Sequence, residues 1–168
     1  MSESLNQVTA KDPIRVLLVD DDEDAYVLTR HHLSKIQHAG VKLDWAAAYE
    51  TGLEKIRENA HDVYLFDYRL GAQTGLELLQ EAISIGCKEP IIMLTTENPV
   101  VDAQAMQLGA ADFLNKDRLD TALLERSIRY SIKHYKILRA LRESEARLGS
   151  FLQNVPCAIS MKNTEGKY

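Results

Sequence analysis

Between residues 13 and 130 short, nearly continuous apolar runs alternate with longer segments whose apolar positions recur at helical spacing. IRVLLV, from Ile14 to Val19, has strand length, and Ala25 to Ile36 follows with helical periodicity. Val41 to Ala46 reads as a second strand and Ala47 to Asn59 as a helix interrupted by Gly52. HDVYLFD ends a third strand at Asp67, and Leu76 to Ile85 is helical with Gly86 as its stop signal. Pro90 to Thr96 is a fourth strand, Pro99 to Leu108 a helix stopped by Gly109, and Ala111 to Leu114 a short fifth strand. Strands that are apolar throughout, rather than alternating, predict a parallel sheet covered by helices on both faces, an α/β fold. Ligand chemistry in such a sheet collects beyond the carboxyl ends of its strands.

The last helix is expected to outrun the fold. From Arg118 to Leu148 no Pro or Gly interrupts it, so it would measure roughly 46 Å at about 1.5 Å per residue. Ser127, His134, Leu141 and Leu148 form one heptad position, and Ser131, Leu138 and Glu145 the other. Only the leucines suit a seam, which predicts a weak homodimer through this helix at best. The expected organisation is a flexible tail over 1–12, a domain over 13–130, a linker helix over 131–148 and the poorly ordered opening of a second domain over 149–168.

Composition narrows the function. With 45% hydrophobic and 27% charged residues the chain can bury a core without metal or disulfide staples. A formal charge of -5 argues against nucleic acid or an anionic membrane as a partner of this chain. No apolar run approaches the roughly 20 residues that span a bilayer, and the start resembles no secretory signal, so the expected compartment is the cytoplasm. Cys87 and Cys157 form no metal-binding or disulfide framework.

The chemistry gathers at the strand ends. Asp20, Asp21 and Asp22 follow the first strand, Asp67 closes the third, Thr95 closes the fourth and Lys116 follows the fifth. In a parallel sheet these ends share one edge. Crowded carboxylates call for a cation, and an oxygen-only set suits Mg²⁺, or Mn²⁺ in its place. A carboxylate can serve as nucleophile and carry a phosphoryl group. Lys116 could neutralise phosphoryl oxygens and Thr95 could donate to one. Taken singly, Asp20 to Asp22 could merely cap a helix, Thr95 could be structural and Lys116 a surface residue. Together, at four strand ends, they read as a phosphoryl-transfer site.

These segments resemble the receiver domains of two-component response regulators over about Arg15 to Tyr130. RVLLVDDDED resembles the family's first strand, with its acidic pair on Asp20 and Asp21. VYLFDYRLGAQTGLELL puts the phosphoacceptor on Asp67 and the later loop glycine on Gly75. PIIMLTTE puts the hydroxyl position on Thr95, and GAADFLNK puts the lysine on Lys116 and the switch aromatic on Phe113. The resemblance implies a flavodoxin-like, doubly wound five-stranded parallel sheet in the order 2-1-3-4-5, here with an extended C-terminal helix. It implies Mg²⁺ held directly by Asp21 and Asp67, by Asp20 through water, and by the Arg69 backbone carbonyl. It also implies catalytic roles for Asp67, Thr95 and Lys116, a switch made of Thr95 and Phe113, and lifetime tuning by Arg69 and Glu97. The partner would be a histidine kinase or phosphotransfer protein, with His31 and His32 in the first helix as candidate contacts. Such a domain is no enzyme in its own right; it promotes its own phosphorylation and dephosphorylation.

Four departures stand out, one being that the switch aromatic Phe113 has no hydroxyl to hydrogen-bond when it turns. Asp117 follows the lysine where the family usually has a cis-proline, Gly71 replaces a proline four residues after the acceptor, and Thr96 replaces a smaller residue after the hydroxyl position. The segment ESEARLGSFLQNVPCAISMKNTEGKY resembles the lead-in and first strand of a sensory PAS domain. The implied parent passes the signal through the last helix to a sensory and output module, a histidine kinase or a cyclic-di-GMP enzyme. Two alternatives remain beside this reading: a degenerate receiver acting only as an interaction module, and an aspartyl-phosphate phosphatase of the haloacid dehalogenase type using Asp20 and Asp22. An EF-hand fails because Ala25 and His31 stand where the loop needs Gly and Glu. A flavodoxin-like FMN module should carry a hydroxyl-rich loop, not acids, after the first strand.

Overall fold

The computed structural model describes residues 12–36, 40–96 and 99–154. Five parallel strands form the sheet: β1 (Ile14–Val19), β2 (Val41–Ala46), β3 (Val63–Asp67), β4 (Ile91–Thr95) and β5 (Asp112–Asn115). Their spatial order is β2-β1-β3-β4-β5, the doubly wound flavodoxin-like order. Helices α1 (Glu23–Ser34), α2 (Tyr49–Arg57), α3 (Gly75–Ser84), α4 (Pro99–Leu108) and α5 (Thr121–Asn154) follow the strands in turn. Arg69–Leu70 and Gln73–Thr74 make a small antiparallel hairpin before α3.

The continuous apolar strands have the cause expected of them. Every residue of β3 and β4 is buried, because both sheet faces are covered. Successive side chains of β1 enter opposite layers. Leu17 and Val19 pack with Tyr49, Leu53 and Ile56 of α2, Leu78 and Leu79 of α3 and Ala105 of α4. Val16 and Leu18 pack with Leu33 of α1 and with Leu124 and Ile128 of α5. At Gly52 a Cβ would lie 2.8 Å from Val19 Cγ1, so the glycine inside α2 lets that helix sit against β1.

Local polar groups set the helix limits more finely than periodicity does. The Asp22 side chain accepts the Asp24 amide at 2.9 Å, which starts α1 at Glu23 rather than at Ala25. Thr74 and Glu77 form a reciprocal capping box that starts α3. Gly86 (φ 90°) and Gly109 (φ 102°) take the left-handed conformation after α3 and α4. The last helix starts at Thr121 instead of Arg118, because Asp120 Oδ1 accepts the Leu123 amide at 2.7 Å. Lys116–Arg118 instead form a 3-10 turn. At its other end α5 continues through Gly149 to Asn154; a lone glycine costs a helix only about 1 kcal/mol. The expected PAS-like strand and the tail over 1–11 lie outside the described residues, as does Cys157.

Side-chain packing corrects the expected heptad seam. Ser127 is buried and donates to Asp112 Oδ2 at 2.6 Å, while Phe113 N donates to Asp112 Oδ1 at 2.9 Å. Ser131 is buried as well, so neither serine belongs to an outer seam. Among the described side chains of α5, the large exposed apolar ones are Tyr130, Ile137, Leu138, Leu141 and Leu148. Beyond Tyr135, Ile137, Leu141 and Leu148 are exposed at spacings of four and seven residues, and Leu138, the seam position expected there, is exposed beside Ile137. The chain divides into two compact units, Met1–Tyr135 and Lys136–Tyr168. Among the described residues no helix is long and apolar enough to cross a membrane.

The two faces of α5 make opposite predictions. Ile128 is 1% exposed, so Ile128→Ala should destabilise the domain by about 2–5 kcal/mol in urea unfolding. Ile137 is 56% exposed, and Ile137→Ala should change the same midpoint by less than about 0.5 kcal/mol at micromolar concentration.

Candidate functional site

Asp20 is the first residue past β1, and it is completely buried. Its backbone is fixed from both sides: Asp20 N donates to Ala46 O at 3.1 Å, and Trp45 Nε1 donates to Asp20 O at 2.8 Å. Its Oδ1 accepts the Asp22 amide at 3.0 Å, leaving Oδ2 for a cation. Lys116, directly after β5, supplies one. Its Nζ lies 2.7 Å from Asp20 Oδ2 and 2.7 Å from Asp67 Oδ1, at the end of β3. One ammonium thus ties together three separate strand ends.

Burial drives the electrostatics. Desolvation pushes the Asp20 carboxyl above its ordinary value, against the hydrogen bonds from Lys116 and the Asp22 amide. For Lys116, burial pulls downward, but the hydrogen bonds to Asp20 and Asp67 outweigh it and hold the ammonium above its usual value. Three carboxylates thus cluster around one ammonium.

Asp21 is exposed, and its Oδ2 accepts the Gly71 amide at 3.1 Å. Oxygens of Asp20, Asp21 and Asp67 lie within 4.8 Å of one another. This oxygen-only donor set, with a buried carboxylate that burial alone disfavours as an anion, fits a hard divalent cation of the Mg²⁺ type. Asp22 stands apart as the cap of α1, and Asp20 is wholly buried. That division does not suit Asp20 and Asp22 as the nucleophile and acid/base pair of a haloacid dehalogenase.

The departures from the receiver pattern acquire physical reasons. Asp117 N donates to Asn115 Oδ1 at 2.7 Å and so caps the 3-10 turn; a proline has no N–H to give. The peptides of the described residues are all trans. Gly71 likewise supplies the N–H that holds Asp21, and at φ 65° it occupies a conformation that suits glycine. At Gly75 a Cβ would collide with the Asp67 carbonyl oxygen, so only glycine lets α3 begin directly beside the acceptor strand.

Not all the expected residues converge. Thr95 is buried, but its hydroxyl donates to Asp102 Oδ1 on α4 at 2.8 Å. Phe113 is 40% exposed. Arg69 is exposed in the hairpin, and Thr96 is exposed after β4; Glu97 lies outside the described residues. Asp102 and Trp45 were not singled out by sequence reasoning, nor was the hydrogen bond from the Gly71 amide to Asp21. Asp102 carries no motif signal, and the two others act through an indole or a backbone N–H whose partner only the fold reveals. Among the histidines, His61 is buried and bonds Asp44 Oδ2 at 2.9 Å, a packing role. His32 Nδ1 meets Thr121 Oγ1 at 3.1 Å, linking α1 to the start of α5.

An acidic cluster bridged by Lys116 is consistent with aspartate- and Mg²⁺-dependent phosphorylation, and comparison with known proteins gives the family. The response regulator receiver domain family matches residues 16–128. The chain belongs to that family. It is 40% identical over 106 residues to the response regulator UvrY of Escherichia coli, covering 61% of this chain and 47% of that protein. It is 30% identical over 104 residues to the transcriptional regulatory protein RprY of Bacteroides fragilis, covering 61% and 43%. The chain therefore spans less than half the length of these relatives. Among solved structures, a CheY-like receiver domain from Methanospirillum hungatei is 25% identical with a TM-score of 0.66, covering 74% of this chain and 98% of that one. The receiver domain of NarL from Mycobacterium tuberculosis is 27% identical with a TM-score of 0.60, covering 70% and 98%. As a receiver domain, the chain is not an enzyme in the classical sense.

Removing the bridging ammonium tests this electrostatic account. Lys116→Met leaves buried Asp20 without its cation and should cost about 3–5 kcal/mol in urea unfolding. Added Mg²⁺ should raise the melting temperature of this variant more than that of the wild type.

Proposed function

We propose that the chain accepts a phosphoryl group onto Asp67 from the phosphohistidine of a cognate histidine kinase or phosphotransfer protein, in a Mg²⁺-dependent reaction. The observation that carries this reading is the Lys116 ammonium 2.7 Å from Asp67 Oδ1, beside the acidic triad. An Asp67 carboxylate oxygen forms the new O–P bond as the P–N bond breaks; the bonding pair goes to the imidazole, which takes up a proton. Asp21, Asp67, the Arg69 carbonyl and, through water, Asp20 would hold the ion, which supplies charge neutralisation for the phosphoryl oxygens when bound. Lys116 is already placed to stabilise one of those oxygens. Thr95 donates to another after its hydroxyl turns toward the acceptor, and Phe113 moves inward in the space that this opens. Arg69 and Glu97 tune how readily water reaches the aspartyl phosphate.

The signal leaves through α5 toward a PAS-like module and a histidine kinase or cyclic-di-GMP enzyme beyond it. The exposed Ile137, Leu141 and Leu148 support a weak parallel homodimer as part of that route. Lys136 and Arg142 flank this seam, while Arg139 Nε binds Glu143 Oε1 at 2.9 Å along the helix. His134 and Ser144 keep the seam from being strong.

Intact mass after incubation with Mg²⁺ and acetyl phosphate should show one phosphoryl adduct, lost in Asp67→Asn. Asp21→Ala should weaken both Mg²⁺ binding and phosphorylation, whereas Asp22→Ala should lower only stability, by about 1 kcal/mol for a lost cap. An adduct that persists in Asp67→Asn, or a larger phosphorylation loss in the Asp22 variant, contradicts the assignment.

A sedimentation series should show the dimer at high concentration, with its population shifted by a phosphoryl mimic. Ile137→Lys should abolish it while leaving the monomer folded. A wild type that remains monomeric throughout rules out the α5 route.

A further inference from the structure

The Thr95 hydroxyl has one proton to donate, and here that proton is spent on Asp102. The contact is 2.8 Å long and partly buried, between the end of β4 and the first turn of α4. Asp102 takes no part in the phosphoacceptor chemistry above, and the acidic triad does not include it. Its helix is pinned beside it: Val101 is 4% exposed and Ala105 fully buried, so the backbone that carries the carboxylate is held against the core. A hydroxyl bound to Asp102 cannot at the same moment donate to an oxygen on Asp67.

We propose that Asp102 is a latch for the switch threonine, a positioning residue that retains the Thr95 hydroxyl on α4 until a phosphoryl group competes for it. The inference rests on the phosphoacceptor reading of Asp67. A phosphoryl group brings about 1.5–2 negative charges and three strong acceptor oxygens, so it outcompetes a single carboxylate for the same proton. Transfer of the hydroxyl then leaves Asp102 without its donor and frees α4 from the end of β4. The same step gives Phe113, now 40% exposed, its opportunity to turn inward. In this arrangement α4 senses phosphorylation by losing a hydrogen bond, rather than by touching the phosphate.

The test uses Asp102→Ala, which removes the acceptor, and Asp102→Asn, whose carbonyl retains one. In the unphosphorylated protein without Mg²⁺, the Thr95 γ-methyl NMR signal should move in Asp102→Ala and move less in Asp102→Asn. With Mg²⁺ and limiting acetyl phosphate, Asp102→Ala should be phosphorylated about three- to tenfold faster, as expected for the loss of one competing hydrogen bond. In a Thr95→Ala background, Asp102→Ala should leave the rate unchanged. An unmoved methyl signal, or an equal acceleration with and without Thr95, overturns the latch. A wild type that takes up no phosphoryl group while the methyl signal still moves overturns the phosphoacceptor reading and, with it, the competition, although the hydrogen bond itself stands.

Discussion

A carboxylate removed from water needs positive charge close by, and Asp20 is removed completely. Lys116 answers that need, and in doing so binds Asp67 with its remaining reach. The ends of β1, β3 and β5 are consequently held at one point by an interaction that local sequence cannot provide, because its partners are 96 positions apart in one bond. The same arrangement constrains the position of the Asp67 carboxylate. A purely apolar edge would pack as well, yet it would place neither an anion nor a cation at this end of the sheet.

Around this pair the chain uses backbone N–H groups at two positions where the resemblance to receiver domains led us to expect proline. Gly71 and Asp117 each give a hydrogen bond that an imino residue could not, one to Asp21 and the other to Asn115. The two loops that flank the acceptor are thereby shaped by donors rather than by ring constraint. Gly75 performs a different service, since its missing side chain is what allows the loop after β3 to close so tightly over the Asp67 carbonyl.

Much of this was legible beforehand. Strand-length apolar runs located β1 and β2 to the residue, and parallel topology by itself carried Asp20, Asp67, Thr95 and Lys116 to one edge. What escaped was decided by side-chain direction. Thr95 could be assigned to the site from its strand position, but not its choice of Asp102 as partner. On α5 the leucines expected at a seam, Leu138, Leu141 and Leu148, are exposed, but Ser127 and Ser131, at the same heptad positions, turn into the domain because heptad and helical periods drift apart along a straight helix. Helix starts moved for a related reason: Asp22 and Asp120 cap through single hydrogen bonds that periodicity does not see.

The Asp112 carboxylate holds a particular place in this architecture. One of its oxygens is occupied by the Phe113 amide and the other by the Ser127 hydroxyl. It therefore works as a rivet between the start of β5 and the second turn of α5, with each of its oxygens engaged by one of the two elements. Sliding of that helix along the strand would strip a half-buried anion of a donor, whereas tilting of strand and helix together would cost it nothing. The softest motion left to this corner is a joint pivot, in which a displacement at the aromatic beside Asp112 reaches α5 as a change of angle rather than as a change of register.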